Sequence, residues 1–110
     1  RDFIYVYDLI RAIHLASTVP GVGGETFQIA ANTEITVGEL AKRVQVDLAT
    51  NGSEHIPIRY DQPWVGDVKR NYSDNRKAAE RLGWAPAYTL DQGLARTVSY
   101  FLKTTAEENR

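Results

Sequence analysis

The residues best suited to binding chemistry are two oppositely charged side chains that lie far apart in the sequence. Arg1 precedes an apolar run, and Asp67 follows Gly66 in a polar stretch. A guanidinium suits a diphosphate, because its fork of N–H donors matches the oxygens and stays protonated. A carboxylate on a loop suits vicinal hydroxyls, because it offers several acceptor lone pairs. These residue types indicate a site for an anion or a polyol, although Lys69 and Arg70 are equally well explained as a solvated face.

The usual catalytic constellations are missing from the sequence. The chain has no Cys, and its two His residues, His14 and His55, lie in different predicted elements without a second ligand at metal spacing. No Ser lies in a nucleophile elbow. The glycine-rich run at 21–24 follows a predicted helix and does not open another, so it fails the structural test for a phosphate-binding loop. We therefore expect no metal site, no cofactor-binding residue and no catalytic residue in this chain.

Composition narrows the class of protein. A chain of 110 residues is one domain at most, and a single core is feasible at this size. Thirteen Lys and Arg against fourteen Asp and Glu argue against a protein that binds nucleic acid by neutralising phosphates. No apolar run is long enough to span a membrane and no signal peptide opens the chain, so we expect a cytoplasmic protein. Because the sequence begins with Arg and contains no Met, we interpret it as a piece of a longer protein.

Hydrophobic patterning predicts an α/β arrangement of short strands with about four helices. Strands are expected at 3–7, 26–30 and 55–60. The first helix is expected to follow Asp8 as its N-cap, with Leu9, Ile13 and Ala16 on one apolar face.

Local signals predict the remaining helices. Capping boxes at 36–39 and 89–92 predict the start of two of them, and Asp74 is expected to cap a short helix that Gly83 ends. An irregular loop is expected at 61–73, and residues 104–110 are expected to fray.

Four runs of residues occur together in an order typical of one family. They are Arg1-Asp2-Phe3-Ile4-Tyr5-Val6-Tyr7-Asp8-Leu9, Thr26-Phe27-Gln28-Ile29-Ala30, Gly66-Asp67 followed by Tyr72-Ser73-Asp74 and Lys77-Ala78, and Leu82-Gly83-Trp84-Ala85-Pro86. With the final helix they cover the chain to about Leu102. The sequence thereby resembles the extended short-chain dehydrogenases/reductases, the NAD(P)-dependent nucleotide-sugar epimerases and dehydratases such as UDP-glucose 4-epimerase.

The resemblance implies which part of such an enzyme this is. Residues 1–103 would form its C-terminal, substrate-binding portion, without the Rossmann half that holds NAD or NADP and supplies the catalytic Tyr-x-x-x-Lys pair. Residues 1–35 would pack on that half. The face left exposed in the isolated chain predicts self-association.

The resemblance also implies roles for single residues. Arg1 matches the Arg that reaches the substrate diphosphate, and Asp67 matches the carboxylate that approaches the nucleotide ribose. Asn71 occupies a position that lines the sugar pocket in hexose epimerases. Trp64 stands where many relatives have a second diphosphate-binding Arg, and an indole can stack on a ring or fill an apolar gap but carries no charge.

The function expected from the resemblance is the binding of a nucleotide-diphosphate sugar within an epimerase or dehydratase, the chain being inactive alone. The alternative is a non-catalytic relative that serves ligand sensing or protein interaction, and the exchange of an Arg for Trp64 favours it. Neither alternative involves nucleic acid or a membrane.

Overall fold

Four α-helices joined by irregular segments make up the computed structural model, which describes residues 1–110. Helix α2 packs against α4, and α1 contacts α3. None of the four helices combines the length and the apolar character needed to cross a bilayer. The helices are α1 (Val6–Thr18), α2 (Val37–Thr50), α3 (Arg76–Leu82) and α4 (Leu90–Glu108).

A small core lies where α1 meets α3. Trp84 is fully buried at its centre, and its indole Nε1 donates a hydrogen bond to the carbonyl oxygen of Asp8 at 2.9 Å. Gly83 positions the indole, because it ends α3 in the left-handed conformation with φ 65°, which glycine adopts without steric cost. The other buried members of this core are Ala12, Val22, Ala78 and Leu82.

Asp8 is fully buried and joins α1 to the segment that leads into α4. Its carboxylate accepts hydrogen bonds from the amides of Ala87 (2.8 Å) and Tyr88 (3.2 Å) and pairs with Arg11 at 3.0 Å. The prediction that Asp8 is an N-cap is therefore wrong. Helix α1 begins at Val6, so Asp8 lies in its first turn and satisfies amides of a distant segment instead of its own helix.

The capping boxes are confirmed at the starts of α2 and α4. Thr36 accepts from the amide of Glu39 at 3.1 Å, and the Glu39 carboxylate accepts from the amide of Thr36 at 3.0 Å. In the same way, the Thr89 hydroxyl accepts from the amide of Gln92 at 3.2 Å, and the Gln92 side-chain oxygen accepts from the amide of Thr89 at 2.9 Å. Each box satisfies backbone amides that have no partner inside the helix.

Two predicted helix ends are displaced. Asn75, not Asp74, is the N-cap of α3, while Asp74 still accepts from the amide of Arg76 at 2.9 Å. Helix α4 continues to Glu108, so most of the segment 104–110 is helical, where a frayed tail was expected. Good helix formers such as Ala106 and Glu107 favour this continuation.

The predicted short strands do not occur in the structure. Val6 and Tyr7 belong to α1, and the segments 26–30 and 55–60 have no regular secondary structure. A strand is stabilised by its pairing partner, and no neighbouring strand lies beside these segments. Backbone pairing between distant segments is limited to Arg1 and Ile35. The Arg1 ammonium donates to the Ile35 carbonyl at 2.8 Å, and the Ile35 amide donates to the Arg1 carbonyl at 2.9 Å.

The outer face of α1, formed by Val6, Leu9, Ile10 and Ile13, is exposed to solvent. Ile13 is 61% exposed and Ile10 51%, whereas the opposite side of the helix buries Asp8 and Ala12. Only 10 of the 110 residues are buried, and the radius of gyration is 17.0 Å, against about 13 Å for a compact chain of this length. Sequence periodicity identified an apolar face correctly, but no other part of this chain covers it.

We expect Asp8→Ala to lower the free energy of unfolding by about 3 kcal/mol, because it removes the acceptor of two part-buried amides and the partner of Arg11. Urea unfolding monitored by circular dichroism measures the change. Asp61→Ala, in an exposed loop, is the matched control and should stay within about 0.5 kcal/mol of the wild type. Equal losses in the two variants would contradict this account of Asp8.

Candidate functional site

The structure brings Arg1 and Asp67 together as an ion pair, although they lie 66 residues apart in the sequence. An Nη2 hydrogen of the Arg1 guanidinium is donated to Oδ1 of Asp67. The Arg1 side chain is 29% exposed and that of Asp67 is 60% exposed. Two of the predicted site residues thus share one position at the surface, where a ligand can reach both.

Asp2 fixes the segments on either side of this pair. Its carboxylate accepts from the amide of Ala31 at 2.9 Å and from the amide of Ser73 at 3.3 Å. Ser73 is the last residue of the irregular loop 61–73, so Asp2 anchors the end of the loop that carries Asp67. Sequence reasoning did not single out Asp2; its place beside Arg1 in the first motif was the available signal.

A tight turn presents Asp67 and Trp64 side by side. The amide of Asp67 donates to the carbonyl of Trp64 at 3.1 Å, and Gly66 has φ 88°, as the third residue of a type II turn requires. Trp64 is 86% exposed. It fills no gap in the interior of this chain, so its indole face is available for stacking.

Asn71 lies further along the same exposed loop. Its side chain forms no hydrogen bond, and nothing in its surroundings links it to Arg1 or Asp67. Its role beside a sugar remains a prediction from the resemblance.

Arg70 is engaged in a second ion pair, which sequence reasoning missed. Its guanidinium donates two hydrogen bonds to the Glu34 carboxylate, at 2.8 and 2.6 Å, and lies 6.0 Å from the centre of the Tyr72 ring. The hydrogen bonds from Arg70 hold the pKa of Glu34 below its ordinary value, and the same contact raises the pKa of Arg70. Arg70 is therefore neither a free surface charge nor an unoccupied anion ligand; it attaches the loop 61–73 to the segment before α2.

The glycine-rich run at 21–24 does not fit a dinucleotide. Gly21 and Gly24 have φ values of 78° and 80°, and the Gly21 carbonyl accepts a hydrogen bond from Arg81 at 3.1 Å. No helix begins after the run until Val37, so no helix N-terminus faces it as a bound pyrophosphate would need. No group of three or more His, Asp or Glu side chains is placed to hold a metal ion.

A cavity of the chain is lined by residues that neighbour Arg1, among them Phe3 and Ile35, but not by Arg1 or Asp67 themselves. It measures about 930 Å³ and is mostly apolar, between the N-terminal segment and α4. The residues that line it include Tyr5, Tyr88, Leu94 and Tyr100. Arg96 also lines it, and its guanidinium lies 5.0 Å from the centre of the Tyr88 ring. Its lining includes none of the four predicted site residues.

Comparison with known proteins identifies the family. The family model described as GDP-mannose 4,6 dehydratase matches residues 1–97. The chain therefore belongs to this family, as the resemblance to nucleotide-sugar epimerases and dehydratases implied.

Individual relatives agree with this assignment. UDP-glucose 4-epimerase of Mycolicibacterium smegmatis is 33% identical over 101 residues, covering 92% of this chain and 31% of its own length. The structure of UDP-glucose 4-epimerase from Thermotoga maritima with UDP-glucose superimposes with a TM-score of 0.80 at 38% identity, covering 96% of this chain and 32% of the other. The structure of MoeE5 in complex with UDP-glucuronic acid and NAD superimposes with a TM-score of 0.81 at 26% identity. The match covers 94% of this chain and 33% of the other. The chain thus spans about a third of the length of the relatives it matches.

The Glu34–Arg70 pair predicts an acid titration below the ordinary range. We expect the Glu34 carboxyl to titrate with a midpoint below 4.5, measured by NMR of its Cδ carbon. Because its folded pKa is lowered, Glu34 contributes stability that is present above pH 4.5 and is lost as the pH falls through the folded value.

Arg70→Gln should move this midpoint back toward 4.5, because it removes the main cause of the shift. Arg59→Gln, an exposed Arg without an ion pair, is the matched control and should leave it unchanged. An unchanged midpoint in Arg70→Gln would refute the assignment.

Proposed function

We propose that residues 1–103 are the C-terminal, substrate-binding portion of an NAD(P)-dependent nucleotide-sugar epimerase or dehydratase that acts in the cytoplasm. The observation that carries the proposal is the Arg1–Asp67 pair, which unites an anion-binding group with a hydroxyl-binding group at one exposed position. Membership of the family supports it. So do the solved relatives that contain UDP-glucose or UDP-glucuronic acid.

In this proposal Arg1 binds the diphosphate of the substrate and Asp67 accepts hydrogen bonds from the ribose hydroxyls. The guanidinium provides charge that is independent of pH, and the carboxylate provides acceptors only. Trp64, exposed beside Asp67, supplies a ring face for stacking in place of a second Arg. Asn71 is proposed to line the sugar pocket.

The chain itself contributes binding and orientation, not the redox step. Its glycine run does not fit a dinucleotide, so no step through NAD or NADP is assigned to these residues. We propose that a separate half of the longer enzyme holds the cofactor and supplies the acid–base residues. The 110-residue chain alone should then turn over no nucleotide sugar.

The apolar outer face of α1 is proposed to pack on that cofactor-binding half. The exposure of Ile10 and Ile13 and the small number of buried residues support this proposal. In the isolated chain the same face should drive self-association, because exposed apolar patches lose contact with water when two copies meet. Sedimentation at increasing concentration of the isolated chain is the appropriate measurement.

A second candidate function is ligand sensing or protein contact by a non-catalytic relative. The observation that favours it is Trp64, an uncharged residue at a position where the resemblance implies a second Arg.

Calorimetric titration of the full-length protein with a panel of nucleotide sugars separates the two functions. Micromolar binding of at least one nucleotide sugar, together with its turnover, supports the enzyme. Binding without turnover favours ligand sensing, and no binding of any member favours protein contact.

Asp67→Ala in the full-length enzyme should raise KM by about tenfold or more and leave kcat within about threefold. A contact to the ribose stabilises the ground state and the transition state alike, and a hydrogen bond to a charged group contributes about 1.5–3 kcal/mol. Asp61→Ala, on the same exposed loop, is the control and should change neither constant. A loss of kcat at unchanged KM would contradict the ribose contact.

A further inference from the structure

We propose that Glu34 and Arg70 are positioning residues, whose ion pair holds the ligand-free loop 61–73 in the conformation that binds a nucleotide sugar. The inference deepens the proposed function and rests on it for the class of ligand. Neither residue needs to contact the ligand, because the pair acts through the loop that it attaches to the segment before α2.

Apolar packing does not hold this loop. Residues 61–72 are all exposed, and they form no helix or strand. The apolar side chains of Trp64, Val65 and Val68 contribute nothing to the buried core. An exposed segment without such contacts samples many conformations unless polar contacts restrain it.

The contacts between the loop and the rest of the chain are few and polar. At the end of the loop, the backbone amide of Ser73 donates to the Asp2 carboxylate. Within the loop, only Asp67 and Arg70 have side chains that form hydrogen bonds to other segments. The contact of Arg70 is the better restraint, because two parallel hydrogen bonds fix the direction of its guanidinium, whereas Asp67 accepts a single one.

Glu34 is the fixed member of its pair. Its side chain is 31% exposed, against 72% for Arg70. The residues that follow Glu34 are themselves held, since Ile35 is buried and Thr36 is the N-cap of α2. The hydrogen bonds from Arg70 also hold the pKa of Glu34 below its ordinary value, so the contact favours the charged carboxylate.

The pair therefore restrains the turn that carries Trp64 and Asp67. Arg70 is three residues from Asp67, so a fixed guanidinium limits how far the turn can move. Without the pair the loop has more conformations, and a ligand must order it on binding, which lowers affinity. This cost is the same for the ground state and the transition state, so losing the pair raises KM and leaves kcat unchanged.

The kinetic test uses the full-length protein with UDP-glucose. We expect Glu34→Gln and Arg70→Gln each to raise KM about two- to fivefold, as the loss of a bidentate surface pair should, and to leave kcat within about 1.5-fold. Arg43→Gln is the matched control, because it breaks an exposed ion pair with Asp91 that joins α2 to α4 at 2.5 Å. It should change KM by less than about 1.5-fold.

The sign of the effect in Glu34→Gln separates positioning from direct binding. If Arg70 were itself an anion ligand, Glu34→Gln would release its guanidinium and lower KM, whereas positioning requires KM to rise. The double variant Glu34→Gln/Arg70→Gln should raise KM no more than either single variant, because each single change already breaks the pair.

A second measurement needs no nucleotide sugar. Amide hydrogen exchange of the segment 61–73 in the ligand-free full-length protein should be about two- to fivefold faster in Glu34→Gln and Arg70→Gln than in the wild type, because the loop opens more often. Exchange of the same segment in Arg43→Gln should match the wild type. An unchanged or lowered KM in Glu34→Gln, or additive increases in the double variant, would overturn the inference.

The two proposals can fail separately. If the wild type turns over no nucleotide sugar while exchange of the loop is still faster in Glu34→Gln, the proposed function fails and the hold of the pair on the loop stands. If UDP-glucose is turned over and Glu34→Gln changes neither KM nor exchange, the inference fails and the proposed function stands.

Discussion

A single buried carboxylate determines how this chain is assembled. Asp8 has no exposed surface, and it accepts hydrogen bonds from amides 79 and 80 residues further along the chain. Burying a charge is costly unless it is paired and hydrogen-bonded, so the segment around Ala87 and Tyr88 is confined to one position against α1. Trp84 stabilises the same contact, because its indole N–H donates a hydrogen bond to the Asp8 carbonyl. The start of α4 is thereby set relative to the N-terminal segment.

The candidate site depends on the same short N-terminal segment. Asp2 holds the amides of Ala31 and Ser73, and the exchange with Ile35 holds the backbone of Arg1. The loop that carries Asp67 is consequently anchored by residues that neighbour Arg1 in the sequence. Arg1, the proposed ligand-binding residue, is therefore the sequence neighbour of Asp2, a carboxylate that joins distant segments of the chain.

Sequence reasoning succeeded where the determinants are local. Both capping boxes and the helix end at Gly83 depend on residues within one turn, and the structure shows each of them. It failed where the partner is distant. The short strands were inferred from β-branched and aromatic residues, but a strand requires a neighbour that this chain does not provide. Asp8 was interpreted as an N-cap because that role is local, whereas its actual partners lie near the other end of the chain.

The site was predictable in its residue types but not in its arrangement. Arg1 and Asp67 were identified by chemistry and by resemblance, yet no spacing rule predicts that residues 66 positions apart form an ion pair.

The most direct test of the proposed substrate site is a crystal structure of the full-length protein with UDP-glucose. We predict that the Arg1 guanidinium contacts the diphosphate and that the Asp67 carboxylate contacts the ribose hydroxyls, each within about 3.2 Å. A nucleotide bound elsewhere, with the Arg1–Asp67 pair intact, would contradict it.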